Sequence, residues 1–216
     1  MRLSSPLLQF EQGLWSCGVR RLAGVDEAGR GALAGPLVAA AVTCDNVRTL
    51  SRLLRDRRCC LIRDSKTLSL PQRLVARALI GAHIDSLAVG IVSPSEIDFF
   101  GLAAANRISM ERAIAALPKP PDFLLIDALT IDHEASQWGI IDGDAQSLLI
   151  SAASIVAKVA RDEIMVELGE QFGAYAFSKH RGYGTAQHLE ELDRSGPCEI
   201  HRMSFEPIRS RSGCLN

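Results

Sequence analysis

The residues most suited to chemistry lie in one stretch, GVDEAGRG at positions 24–31. Asp26 and Glu27 end a short apolar run, and carboxylate oxygens are the ligands that hard divalent cations such as Mg²⁺ prefer. In the Gly29-Arg30-Gly31 turn that follows, two glycines let the backbone approach a ligand and the arginine brings positive charge. The stretch indicates metal-assisted chemistry on a phosphate backbone. It is equally typical of an ordinary strand end and turn, so from these residues alone neither interpretation is favoured.

Composition narrows the class of protein. The chain has 216 residues, 47% hydrophobic and 23% charged, enough for one sizeable core or a main domain with a small appendage. The net charge of -1 argues against a global basic field, although basic groups around an acidic cleft would still suit a nucleic acid. The sequence contains no C-x-x-C pair, so a zinc site is not expected, and the six cysteines are interpreted as reduced thiols. Lacking a secretory leader or a run of about 18 apolar residues, the chain is expected to be cytoplasmic and without membrane contact.

Hydrophobic periodicity predicts a mixed α/β protein. Three strands come first and helices then alternate with strands, which favours a mixed sheet with helices on both faces. Ser69 and Pro71 are typical of a helix start. The arginine-rich residues 52–63 are interpreted as a solvated face. Strands are predicted at 21–26, 36–44, 84–93, 123–127 and 137–141, helices at 72–82, 95–117, 145–172 and 186–194, a helical turn at 7–15, and a turn or helix at 204–209.

Four carboxylates are predicted to converge at one edge of this sheet. Ligands of open α/β sheets gather beyond the carboxyl ends of strands, where Asp26, Glu27 and Asp127 lie. Asp144 follows another strand, and Asp142 competes with it. Such a cluster could hold two cations about 3.5–4 Å apart, which activate a water and stabilise a leaving oxygen in phosphoryl displacement. Each acid alone is more often a cap or turn residue.

Several motifs in order make the chain resemble the bacterial type 2 ribonucleases H, from about Leu22 to Ile208. The most specific are residues 24–31 and the SAASIVAKV run at 151–159. The resemblance implies an RNase H-like fold with a mixed five-stranded sheet flanked by helices. It divides the chain into a leader at 1–20, a catalytic domain at 21–172 and a helical substrate-binding extension at 173–216. The other motifs are Asp64-Ser65-Lys66, Glu96-Ile97-Asp98, Leu125-Ile126-Asp127, Gly143-Asp144, Arg161-Asp162, His180, Gly182-Tyr183, Thr185, His201-Arg202 and Ser204-Phe205.

The resemblance also implies an activity: cleavage of the RNA strand of RNA–DNA hybrids, and incision at ribonucleotides embedded in duplex DNA, with 3′-hydroxyl and 5′-phosphate products. We expect a monomer with no evident protein partner. The Gly29-Arg30-Gly31 turn and Tyr183 would sense the ribose 2′-hydroxyl. The implied ligands of two Mg²⁺ or Mn²⁺ ions are Asp26, Glu27, Asp127 and Asp144. Candidate phosphate contacts are Ser65, Lys66, Ser151, Lys158 and Arg161, with helix-surface ion pairs to Asp162 or Glu163 as the alternative for the last two.

The chain departs from the family pattern at several positions. Ala128 stands where a Gly is usual, Asp142 where a Lys is usual, and Gly184 where a Pro is usual. Asp142 brings an anion beside the expected site, and Gly184 should make the tyrosine loop more mobile. Three other classes of protein are alternatives to this interpretation. The first is a type 3 ribonuclease H, which usually carries an extra N-terminal domain, and the second is a non-catalytic hybrid-binding module. The third is a small-molecule phosphohydrolase, which the lack of a P-loop disfavours.

Overall fold

A mixed five-stranded sheet forms the centre of the computed structural model, which describes residues 6–62 and 65–212. Its strands are β1 (Leu22–Ala28), β2 (Leu37–Cys44), β3 (Ser86–Val92), β4 (Phe123–Asp127) and β5 (Ser136–Ile140). They lie in the order β3-β2-β1-β4-β5. β2 is antiparallel to β1 and β3, whereas β4 is parallel to β1 and to β5. The predicted mixed sheet and its five strands are therefore confirmed.

Helices cover both faces of the sheet. They are α1 (Gln9–Ser16), α2 (Val47–Arg55), α3 (Leu70–His83), α4 (Pro94–Phe100), α5 (Leu102–Ala115), α6 (Leu148–Gln171), α7 (Phe177–His180), α8 (Ala186–Ser195) and α9 (Ile208–Ser212). Short 3-10 turns occupy Pro6–Leu8, Arg57–Leu61, Ser65–Thr67 and Gly143–Ala145. In this part of the chain, no helix is both long and apolar enough to cross a bilayer.

The alternation of side chains along the strands gives the sheet two apolar faces. Leu22 and Val42 pack into the core on the α6 side, whereas Ala23 and Ala41 pack on the α5 side. Gly24 allows α6 to approach closely, because a Cβ at this position would overlap the Leu149 carbonyl group. The strand that carries Asp26 and Glu27 is thus fixed directly against the longest helix.

Helix boundaries differ from the predictions where special residues intervene. Residues 95–117, predicted to be mostly helical, form two helices: Gly101, at φ 78°, separates α4 from α5 in a conformation that costs glycine little. The long helix begins at Leu148, because the Ser147 side chain caps it by accepting from the Ile150 N–H. Within the arginine-rich stretch, α2 was not predicted. The Ser69 start is confirmed, since the Gln72 Oε1 accepts from the Ser69 N–H at 2.8 Å.

Both ends of the described chain pack against the central layers. In the segment predicted as a leader, α1 buries Glu11, whose Oε1 accepts from the Ser147 Oγ at 2.7 Å and the Leu149 N–H at 3.1 Å. Burial raises the pKa of Glu11. At the other end, helices α7 and α8 share a core with the loop between β1 and β2 and with Met165 of α6. That loop contains the predicted ribose-sensing turn.

Candidate active site

A cavity of about 660 Å³ lies at the carboxyl ends of β1 and β4. It brings together three of the four predicted acids, the whole predicted ribose-sensing turn, Tyr183, and two of the candidate phosphate contacts. Ligands of α/β sheets are expected at this edge. The lining residues are Asp26, Glu27, Ala28, Gly29, Arg30, Gly31, Ser65, Arg73, Asp127, Ser154, Lys158 and Tyr183.

Parallel pairing of β1 and β4 places two of the acids side by side. Val25 lies opposite Ile126, and each is followed by an aspartate. Asp26 Oδ1 accepts from the Glu27 N–H at 2.7 Å, and Asp127 Oδ1 accepts from the Gly143 N–H at 2.7 Å. These backbone donors fix the orientation of both carboxylates.

Burial and repulsion from neighbouring carboxylates make ionisation of Asp26 and Glu27 unfavourable. Asp26 is only 6% exposed, and burial raises its pKa well above the usual range, with the charges of Glu27 and Asp127 adding to the effect. Burial also raises the pKa of Glu27, although the charge of Arg30, 4.0 Å away, opposes the shift. A bound divalent cation would offset this repulsion, so the donor set fits a hard metal ion. In the ranges described, no three His, Cys, Asp or Glu side chains already lie close enough to share one ion.

The fourth predicted acid lies next to the cavity rather than in its lining. Asp144 is half-buried on the 3-10 turn that begins at Gly143, the residue whose N–H holds Asp127. Gly143 leaves room for this contact, because a Cβ there would lie 3.2 Å from Asp127 Oδ1. Its competitor Asp142 is exposed in the left-handed region, at φ 51°. Both aspartates flank the residue whose N–H holds Asp127, and the role of Asp144 as a ligand stays a prediction.

Two hydroxyls and one arginine shape the cavity wall beside Asp26. The Ser65 and Ser154 hydroxyls lie 2.9 Å apart, and a hydrogen bond from Ser154 lowers the pKa of Asp26, against the larger effect of burial. Arg73 Nη1 donates to the carbonyl oxygens of Ser65 and Leu68 at 3.3 and 2.6 Å, and thereby fixes the Ser65 turn. Sequence reasoning missed Arg73, since nothing but its place in the first turns of a predicted helix distinguished it.

Lys158 lies between the cavity and an ion pair. Its Nζ is 2.7 Å from Asp162 Oδ1 and 5.2 Å from the centre of the Tyr183 ring, within reach of a cation–π contact. Lys158 thus forms the predicted ion pair with Asp162 and also lines the cavity, whereas its role as a phosphate contact stays a prediction. Asp64 and the side chain of Lys66 lie outside the described residues.

Two predicted phosphate contacts have a different place in the structure. Arg161 is fully buried, and its three nitrogens donate to the carbonyl oxygens of Pro36, Ala34 and Arg181 at 2.9–3.1 Å. Since its donors are directed at the backbone, Arg161 is not a surface phosphate ligand, and it forms neither of the predicted helix-surface ion pairs. Ser151 is also fully buried and outside the cavity lining.

Buried arginines hold the Gly29-Arg30-Gly31 turn from behind. The Arg202 guanidinium donates to the carbonyl oxygens of Gly29 at 2.8 Å, Arg30 at 2.9 Å and Gly35 at 3.0 Å. Gly29, at φ 92°, packs so closely on Arg161 that a Cβ would overlap the guanidinium. Only glycine fits there without strain. The His201-Arg202 motif marked this residue in the sequence, but nothing local indicated its target.

The tyrosine loop is bonded to the same turn region. The Gly182 carbonyl accepts from the N–H groups of Leu33 and Ala34 at 2.8 and 3.2 Å. Tyr183 follows, half-buried in the cavity wall, with the Arg161 guanidinium carbon 5.2 Å from its ring centre. The two predicted ribose-sensing elements thus form one connected unit.

A mixed sheet with clustered carboxylates at its edge and a cation-bearing turn defines the class as metal-dependent nucleases with an α/β fold. A family model described as Ribonuclease HII matches residues 23–208, and the chain belongs to that family. It is therefore a metal-dependent endoribonuclease, of a family that cleaves RNA in RNA–DNA hybrids. Relatives include the ribonucleases HII of Bacillus pumilus (strain SAFR-032), 43% identical over 94% of this chain and 77% of the relative, and of Geobacillus kaustophilus (strain HTA426), 43% identical over 94% and 75%.

Solved structures agree with this assignment. The ribonuclease H2 from Pyrococcus horikoshii OT3 superposes with a TM-score of 0.73 at 25% identity, covering 90% of this chain and 98% of that one. The RNase HII in a PCNA complex from Archaeoglobus fulgidus gives 0.69 at 26% identity, over 86% and 95%. Bst-RNase HIII in complex with Mn²⁺ shares the fold, with a TM-score of 0.64 at 17% identity over 91% and 70%. A type 3 ribonuclease H, one of the alternatives named from the sequence, thus shares the fold, whereas the family model assigns this chain to type 2.

Proposed function

We propose that this protein, besides cutting RNA in RNA–DNA hybrids, incises duplex DNA at single embedded ribonucleotides and leaves 3′-hydroxyl and 5′-phosphate ends. The observation that carries the proposal is one cavity lined both by the three carboxylates and by the Gly29-Arg30-Gly31 turn and Tyr183. Hydrolysis of a phosphodiester and recognition of a single ribose require different groups. Their presence around one cavity supports cleavage next to the recognised ribose.

The carboxylates are proposed to hold two Mg²⁺ or Mn²⁺ ions. Asp26, Glu27 and Asp127 would be ligands from the cavity wall, with Asp144 as the fourth from its adjoining turn. When bound, two such ions lower the pKa of a water and stabilise the departing 3′-oxygen. The protein contributes orientation, because the N–H groups of Glu27 and Gly143 fix Asp26 and Asp127 before any ion arrives.

No side chain is needed as a covalent nucleophile. The Ser65 and Ser154 hydroxyls are bonded to each other, and Ser154 also bonds to Asp26. They therefore orient the acid rather than attack phosphorus. Direct attack by water is consistent with the proposed 5′-phosphate product.

Ribose recognition is proposed to come from the turn and the tyrosine together. Backbone groups of Gly29-Arg30-Gly31 would bond to the 2′-hydroxyl, and Tyr183 would contact that hydroxyl and stack on the following deoxyribose. Residues 173–216, which supply Tyr183, would act as the substrate-binding extension. Ser65, Lys66 and Lys158 remain the proposed phosphate contacts.

A cleavage assay on matched duplexes tests this function. One duplex carries a single ribonucleotide, the second is all DNA and the third is an RNA–DNA hybrid, each with Mg²⁺, with Mn²⁺ or with chelator. We expect metal-dependent cutting of the first and third. Equal cutting of the first two duplexes would refute the ribose requirement, and cutting in chelator would refute the metal requirement.

The proposed roles of Asp127 and of partners have their own tests. Asp127→Asn should abolish cutting and leave the fold intact; full activity would remove Asp127 from the mechanism. The Archaeoglobus protein was solved in a PCNA complex, whereas we propose a monomer for which the sequence gives no evident protein partner. Gel filtration with and without the clamp of the host organism would decide, since co-elution would contradict that proposal.

A further inference from the structure

Three buried histidines lie behind Tyr183. His180 belongs to α7, His188 to α8 and His201 to the segment after α8. His188 Nδ1 lies 3.0 Å from the Tyr183 carbonyl oxygen, and His188 Nε2 lies 3.0 Å from His201 Nε2. His201 Nδ1 lies 2.9 Å from the Cys198 backbone N. These contacts form a series of hydrogen bonds from the Cys198 N–H through His201 and His188 to the Tyr183 carbonyl, which we call the histidine relay.

The chemistry of the two ends of the relay fixes where its protons lie. A carbonyl oxygen can only accept, so His188 must donate from Nδ1. With the ring neutral, His188 Nε2 is then an acceptor and His201 must donate to it from Nε2. His201 Nδ1 is left as an acceptor, which matches the Cys198 N–H and thiol that face it at 2.9 and 3.2 Å. The Cys198 carbonyl oxygen, also 3.2 Å from Nδ1, accepts from the His201 backbone N–H instead. One assignment satisfies every group in the relay when both rings are neutral.

His180 holds the other side of the tyrosine loop. Its Nδ1 accepts from the Gly182 N–H at 3.2 Å, so its Nε2 carries the proton and donates to Glu191 Oε2 at 3.0 Å. Glu191 is itself fixed, because the same oxygen accepts from the Ala176 N–H at 3.0 Å. The rings of His180 and His188 are stacked, with centres 4.3 Å apart.

Two glycines flank Tyr183, so the position of the tyrosine depends on hydrogen bonds such as the one from His188. Gly182 precedes the tyrosine at φ 78° and Gly184 follows it, so both neighbours permit a wide range of backbone conformations. The Tyr183 carbonyl accepts from the Thr185 N–H at 2.8 Å as well as from His188. A carbonyl has two lone pairs, so the two donors together saturate it. Loss of the His188 donor would leave the Tyr183 carbonyl with the Thr185 N–H as its one remaining donor, while the bonds of Gly182 stay in place.

We propose that His188 is a positioning residue for Tyr183, and that the histidine relay sets the tyrosine loop for selecting a single ribonucleotide next to deoxyribose. The inference rests on the proposed ribose-sensing function of Tyr183. His188 touches the backbone of the tyrosine and not the substrate. Its effect is therefore on selectivity between substrates rather than on the chemistry at phosphorus.

Two isosteric substitutions separate the two ends of the His188 ring. In His188→Asn, the side-chain amide reaches the position of Nδ1 and can still donate to the Tyr183 carbonyl. In His188→Gln, the amide reaches towards the Nε2 position and its donor to Tyr183 is lost. The readout is the ratio of kcat/KM for a single-ribonucleotide duplex to that for an RNA–DNA hybrid, with kcat and KM separated. His83→Gln, at the distant end of α3, is the matched control.

We expect His188→Gln to lower that ratio about tenfold, the effect of one lost buried hydrogen bond. His188→Asn and His83→Gln should stay within about threefold of the original protein on the same scale. A His188→Gln ratio equal to that of the unchanged protein would overturn the proposal, and so would equal losses in the Asn and Gln variants. Thermal unfolding of each variant shows whether a loss comes from the fold.

Nitrogen-15 NMR of the imidazoles in the unchanged protein tests the relay without any cleavage. We expect the Nδ1–H form for His188 and the Nε2–H form for His180 and His201. An Nε2–H form at His188 would overturn the relay, even if neither variant folds. If the unchanged protein cuts no ribonucleotide-containing duplex, the proposed function fails while the NMR result still shows whether the relay exists.

Discussion

Replacing Asp26 by Asn should stabilise the metal-free protein while it abolishes cleavage. Asp26 is almost fully buried, and burial together with the charges of Glu27 and Asp127 makes its ionised form costly. Asn keeps the Oδ1 that accepts from the Glu27 N–H and removes the charge. A buried polar or charged group without a compensating partner costs about 1–3 kcal/mol or more of stability. The free energy of unfolding of Asp26→Asn should therefore rise by about that amount. For a chain of this size, the gain corresponds to a rise in Tm of about 2–12 °C.

The gain should depend on pH in a defined direction. Because the pKa of Asp26 is raised in the folded protein, the unfolded chain loses this proton first as the pH rises above about 4. The folded state then binds more protons than the unfolded state, so stability falls with increasing pH. The Asn variant lacks this loss. The difference between the two proteins should therefore be small near pH 4 and grow towards neutral pH.

The assay is thermal denaturation of both proteins in chelator across this pH range, repeated with Mg²⁺. The cation should raise the Tm of the original protein more than that of the variant, because it offsets the repulsion that the variant lacks. Asp132→Asn, which changes an exposed aspartate, is the control and should leave stability nearly unchanged. The reasoning is refuted if Asp26→Asn is no more stable than the original protein at neutral pH in chelator.

Three further predictions concern backbone strain, a buried cation and acid sensitivity. Ala128 has φ 59°, so Ala128→Gly should raise the free energy of unfolding by about 0.5–1 kcal/mol in urea titration; a decrease would contradict the strain. Arg202→Lys should lower the free energy of unfolding by about 2–4 kcal/mol in the same titration and weaken ribonucleotide selectivity. The reason is that the single nitrogen of a lysine cannot reach the three carbonyl oxygens that the Arg202 nitrogens contact; unchanged stability would contradict this. Burial lowers the pKa of His188, and burial and the charge of His188 lower that of His201 to about 4. Since unfolded histidines bind protons near pH 6.5, Tm should fall as pH falls from about 6.5 towards 4; a flat profile in Asp26→Asn, which lacks the opposing contribution of Asp26, would contradict this cause.

The acids could be found from the sequence because their positions follow from local rules. Asp26 lies near the end of one apolar strand and Asp127 ends another, and parallel pairing brings these strand ends together. Ala128 stands at a position where the family usually has Gly, and its positive φ gives the physical reason for that preference. Short-range signals also predicted the Ser69 helix start.

What the sequence could not show depends on contacts between distant residues. Arg202 and Gly29 are 173 positions apart, and Arg161 and Pro36 are 125 apart. The sequence does not distinguish a buried arginine that donates to backbone carbonyls from a surface arginine that contacts phosphate. The burial of Arg161 was therefore not predicted. The break at Gly101 was missed because the prediction rested on the apolar spacing from Leu102 onwards, which gives no signal for a separate helix before it.

The two halves of the site therefore have different structural origins. The carboxylates are placed by the sheet and by α6, through strand pairing and the close approach at Gly24. The proposed ribose-sensing turn is shaped by Arg161, which packs on Gly29, and by Arg202, a residue of the C-terminal segment. The tyrosine loop is bonded to that turn region and to the histidines. Substitutions in the C-terminal segment should consequently alter the choice of sugar while the carboxylate cluster stays in place, whereas substitutions along β1 and β4 should remove cleavage of every substrate.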